Sequence, residues 1–84
     1  MDRNELKIWK ENMQMVFGVW EQRYKNNYPI LIDKIAFDIT KGGKNVALLL
    51  KIIADALEEA QKNPTQKNWK RLKKVLLENP PENN

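Results

Sequence analysis

The sequence predicts an all-α domain, a compact bundle of about four short helices. Three observations lead there. Apolar residues recur at three- and four-residue steps through most of the 84 residues, the periodicity of amphipathic helices. Helix-capping residues and prolines divide that pattern into four segments. No pair of strand-like segments joined by a turn occurs, and a single strand has nothing to pair with. The 42% apolar content is enough for one core despite 31% charged residues. A chain this short is one domain with a small margin of stability. The expected division is a helical domain over 1–79 and a disordered tail over 80–84.

The first helix is expected over about 3–26. Asp2 can cap it, with Glu5 three positions on in a capping-box arrangement. Leu6, Trp9, Met13, Val16, Phe17, Trp20 and Tyr24 form its apolar stripe. Asn26-Asn27 and then Pro29 end this helix and open the next. The second helix, about 29–41, carries Ile32, Ile35, Ala36 and Ile39 on one face. Its isoleucine content makes a short strand the alternative, and helix is preferred. Lys41-Gly42-Gly43-Lys44 then reads as a turn.

The third helix is expected over about 46–62, with Asn45 as its cap and Val46, Leu49, Leu50, Ile53, Leu57 and Ala60 as its stripe. The fourth is expected over about 64–78, with Asn63 as cap, Pro64 in the first helical position and Gln66 as capping-box partner. Trp69, Leu72 and Leu76 are its core face. Trp9, Trp20 and Trp69 are all expected to anchor the core. The tail ENPPENN has no apolar residue.

Charge is unevenly placed. Residues 1–60 hold 9 Lys/Arg and 9 Asp/Glu, whereas residues 61–84 hold 6 basic and 2 acidic residues. The whole formal charge of +4 therefore comes from the last quarter. Lys67, Lys70, Arg71 and Lys74 fall on one face of the fourth helix, Lys73 flanks them and Lys62 precedes them. A cationic helix on a neutral body suits a polyanion partner. With lysine dominant and only Arg71 suited to bidentate base contacts, the expected partner is nucleic acid held through phosphates with little sequence preference. A solvated outer face explains the same residues more simply. An anionic membrane surface is a weaker expectation.

Apolar residues also occur off the main stripes. Ile8, Met15 and Val19 lie opposite the stripe of the first helix, Ile30 and Phe37 on the polar side of the second, and Leu48 and Ile52 at the edge of the third. The first helix must then be central in the fold or covered by another chain. A homodimer built on it, or a protein partner as for an inhibitor, immunity or assembly protein, would account for Ile8, Met15, Val19, Ile30 and Phe37.

Other chemistry is missing from the sequence. Cysteine and histidine are both absent, removing thiolate and imidazole as metal ligands and histidine as a general base. No cofactor and no enzymatic activity are expected. Asp33, Asp38, Asp55, Glu58 and Glu59 read as exposed carboxylates. Lys41-Gly42-Gly43-Lys44-Asn45 lacks the spacing of a phosphate-binding P-loop. No apolar run approaches the roughly 20 residues of a membrane span, and no signal peptide is recognisable, so a cytoplasmic location is expected.

Overall fold

The computed structural model describes residues 2–44 and 49–80. Four helices follow in order: α1 Arg3–Arg23, α2 Tyr28–Ile39, α3 Lys51–Lys62 and α4 Gln66–Glu78, with no strand among the described residues. The all-α prediction holds, and α2 is a helix.

Local chemistry explains the element ends. Asp2 Oδ1 accepts from the Glu5 amide at 2.8 Å, as the capping pattern requires. α1 stops at Arg23, earlier than expected, because Lys25 and Asn26 adopt left-handed φ of 52° and 56°. The Asn26 amide reaches back to the Glu21 carbonyl at 2.8 Å, a closure that satisfies a terminal carbonyl of the helix. Asn27 caps α2 through its side chain, and Pro29 sits in the first turn where no amide is needed.

α2 ends at Ile39, followed by the predicted glycine turn. Thr40 is buried there. Its hydroxyl donates to the Ala36 carbonyl at 2.6 Å and accepts from the Gly43 amide at 3.0 Å. Gly42 and Gly43 take φ of +73° and +89°, where a side chain is strained. Thr40→Val should cost about 0.5–1.5 kcal/mol, because it removes the hydrogen bond from the exposed Gly43 amide that closes the turn. Urea denaturation checks this, and an unchanged midpoint would mean that the turn closes without the threonine.

Two further boundaries differ from expectation. Leu49 and Leu50 are not helical, and α3 begins at Lys51 with no side-chain cap. Asn45, Val46 and Leu48, to which the sequence assigned a cap and helical positions, lie outside the described residues. At the next junction Thr65, not Asn63, caps α4. The Thr65 hydroxyl accepts from the Asn68 amide at 3.2 Å. Asn63 instead closes α3, its amide bonded to the Glu59 carbonyl, and its own carbonyl accepts from the Asn68 side chain. Pro64 therefore lies between the helices and not within α4. The tail beyond Pro80 lies outside the described residues.

The core comes mainly from the last three helices. Leu31, Ile32, Ile35 and Ala36 of α2, Ile53, Ala56, Leu57 and Ala60 of α3, and Trp69, Leu72 and Leu76 of α4 are buried. Leu31, left off the predicted stripe, is fully buried. α3 and α4 make the most extensive contact between helices, and the small Ala56 and Ala60 are buried on α3.

α1 contributes only Phe17 to the buried set. Met13, Trp20 and Tyr24 pack partly against the core, while Leu6, Trp9 and Val16 are half-buried. Of the two arrangements expected for the first helix, central in the fold or covered by another chain, the first is excluded: α1 lies on the outside and meets the body mainly through α4. It is about 31 Å long, nearly the longest dimension of the molecule at 34 Å. Gly18 in its middle is unexplained by packing, since a Cβ there would meet nothing within 4 Å. Glycine at a helix interior costs about 1 kcal/mol relative to alanine.

Candidate functional site

α4 carries the candidate surface, and its own amphipathicity sets the orientation. Trp69, Leu72 and Leu76 are drawn into the core, which turns the opposite side outward. Lys67, Lys70, Arg71 and Lys74 fall within an arc of about 100° on that outer side, and all four are exposed. From Lys67 to Lys74 the row runs about 10 Å.

The structure separates the six basic residues singled out from the sequence. Lys67, Lys70 and Arg71 have no ion pair among the described residues. Lys74 lies 4.0 Å from Glu78 and Lys62 3.2 Å from Glu58, each pair a turn apart and largely solvated. Such pairs are worth little and yield readily to a competing anion. Lys73 differs. Its side chain is mostly buried, its ammonium donates to Glu21 Oε2 at 2.7 Å, and it lies 5.5 Å from the centre of the Trp69 ring. Lys73 is a structural residue that pins α4 to α1, and it leaves the candidate surface.

The same Glu21 oxygen accepts from the Trp69 indole at 2.8 Å. Phe17 meets Trp69 edge to face, with centroids 5.9 Å apart and planes at 80°. One carboxylate thus satisfies the buried indole and fixes Lys73. Partial burial pushes the Glu21 pKa up. The hydrogen bonds from Lys73 and Trp69 and the charges of Lys73 and Lys70 together outweigh it, so the carboxyl sits below the usual glutamate value. A carboxyl more acidic in the folded than the unfolded chain stabilises the fold above its unfolded pKa, about 4.3. That stabilisation is lost as pH falls through the lower folded value. Glu21→Gln is therefore expected to be less stable than the parent at neutral pH and to show a shallower loss of stability below about pH 4.3. Thermal melts across that range test it; parallel curves for the two proteins would contradict it.

The apolar residues off the main stripes do face outward. Ile8, Met15 and Val19 are 56%, 62% and 55% exposed on α1, and Ile30 and Phe37 are 41% and 69% exposed on α2. Leu50 and Ile52 at the start of α3 are also exposed. Those of α1 recur at helical spacing along one side of the helix. Trp9, expected in the core, instead lines an open cleft of about 540 Å³ with Met13, Ile39, Leu49, Leu50, Ile53 and Leu76.

Asp33, Asp38, Asp55, Glu58 and Glu59 are exposed, and Glu59 accepts from the Asn63 side chain at 3.3 Å. No cluster of three carboxylates that could hold a metal occurs among the described residues. Among the same residues no helix is long and apolar enough to cross a membrane. The glycine turn borders a shallow hollow with Phe37, Asp38, Lys41 and Lys44. Comparison with protein-family models, curated proteins and solved structures found no match to this chain.

Proposed function

We propose that this protein is a dimeric, non-enzymatic binder of nucleic acid that contacts phosphates through the outer face of α4. The observation that carries the reading is the row Lys67, Lys70, Arg71 and Lys74. These four cations are exposed together on one side of a helix whose other side is locked into the core. Three of them have no ion pair among the described residues, and Lys74 has only a long, solvated one. A duplex carries one charge per about 1.7 Å of axis, so a row about 10 Å long faces several phosphates at once.

The contact is rigid, because α4 is anchored on both sides of the row by Trp69 and Leu76. It reads charge and spacing more than base identity, since lysine makes point contacts and only Arg71 has the bidentate fork. Lys62 lies just before α4 and extends the positive surface once its solvated pair with Glu58 opens. Two copies in a dimer present two such rows and multiply the effect of each.

The test is the charge-reversal variant Lys67→Glu/Lys70→Glu/Arg71→Glu. The expected outcome is loss of binding to duplex or single-stranded nucleic acid with helicity retained and melting lowered only slightly, through the charge placed near Glu21 at Lys70. Replacing Lys73 in the same way should instead destabilise the fold. Binding that survives the triple reversal would overturn the reading.

A further inference from the structure

The outward side of α1 has a pattern that its exposure alone does not explain. Ile8, Asn12, Met15 and Val19 follow one another at four-, three- and four-residue steps, the seam spacing of a coiled coil. They lie opposite Phe17, the residue that fixes α1 to the core, and none of the described residues covers them. Gly18 lies beside this seam with open space where its side chain would be.

We propose that this face is the dimer contact, and that two copies of α1 pair across it antiparallel about a two-fold axis near residues 13 and 14. The inference rests on the dimeric part of the proposed function and supplies its surface, orientation and register. An antiparallel register centred there is complementary to itself at each level. Ile8 meets Val19 of the second copy and Asn12 meets Met15, each contact occurring twice. On one flank the half-buried Trp9 comes beside Val16. At the ends of that flank the Asp2 carboxylate faces the Arg23 guanidinium of the second copy, opposite charges that are both exposed in the monomer. On the other flank Gly18 lies opposite Glu11 and lets the second helix come close.

The parallel alternative lacks these matches. It sets Glu11 against Val16 and Gly18 against Arg23, and it aligns the two helix dipoles instead of opposing them. The seam from Ile8 to Val19 is only about 16 Å long and has Asn12 in its middle, so association should depend visibly on concentration.

The chain has no cysteine, so single thiols report the geometry cleanly. Ile8→Cys and Val19→Cys are prepared separately and treated with a short bis-maleimide, alone and mixed. The expected result is little cross-linking in either variant alone and a strong cross-linked dimer in the mixture. Efficient cross-linking of Ile8→Cys to itself would show parallel pairing and overturn the proposal, as would no enrichment in the mixture.

Sedimentation without nucleic acid should show a concentration-dependent dimer, abolished in Met15→Asp with helicity retained. A parent that stays monomeric, or a Met15→Asp variant that still dimerises, would also overturn it. Failure here is distinguishable from failure of phosphate contact, because the α4 charge-reversal variant should still dimerise.

Discussion

Trp69→Ala is expected to remove about 3–5 kcal/mol of stability. A domain of this length has on the order of 4–13 kcal/mol in total, so the variant should lose about a quarter or more of its stability and approach unfolding at the low end of that range. Three effects coincide at this residue. The indole is 1% exposed, so its removal leaves a cavity at the junction of α1 and α4. The edge-to-face contact with Phe17 is lost, and with it the only buried side chain of α1. Glu21 then keeps Lys73 but loses the indole donor, in a place where burial already opposes its charge. Trp69→Phe separates these effects. It keeps much of the volume and forfeits the hydrogen bond, so a loss of about 1–2 kcal/mol is expected. Urea unfolding followed by circular dichroism measures both. Equal losses would show that the hydrogen bond, and not the packing, dominates.

Affinity for nucleic acid should fall steeply with salt. Each phosphate contact contributes a slope of roughly −0.9 on a log–log plot for duplex DNA. Three or four contacts from Lys67, Lys70, Arg71 and Lys74 therefore imply a loss of roughly 40- to 150-fold between about 50 and 200 mM salt, for each row engaged. Reversing three charges should abolish nearly all of that dependence along with the binding. Sequence changes in the duplex should have little effect, because contacts to phosphates carry no base information. A slope near zero, or strong discrimination between sequences of equal length, would count against a phosphate row.

Much of the fold was legible before any coordinates. The cap at Asp2, the break at Asn26-Asn27-Pro29 and the glycine turn each depend on residues within a few positions of one another, and each appears as expected. The misplaced boundaries arise where two local signals compete. Asn63-Pro64-Thr65-Gln66 holds two residues able to cap a helix. Asn63 was the expected one, but it is taken by the end of α3, which leaves Thr65 to start α4. The apolar run around Leu49 and Leu50 looks helical by periodicity, yet the described helix begins only at Lys51.

The candidate surface was legible in the same local way. Lys67, Lys70, Arg71 and Lys74 share a face by helical spacing alone. Spacing put Lys73 at their flank but could not show that it is engaged, because its partner Glu21 is 52 positions away. A single acid facing a tryptophan and a lysine across two helices leaves no trace in spacing.

The sequence by itself determined the helices, their turns and which side of each is apolar, since caps, prolines, glycines and period act within a few residues. Only the tertiary structure decided which apolar sides are used. It placed α1 outside, drew Leu31 inward, left Trp9 at the edge of a cleft and took Lys73 out of the cationic row. These outcomes depend on which helices compete for a limited interior. Side chains of α2, α3 and α4 fill most of it, and α1 is joined to the body by Phe17 and Glu21 with partial packing from Met13, Trp20 and Tyr24.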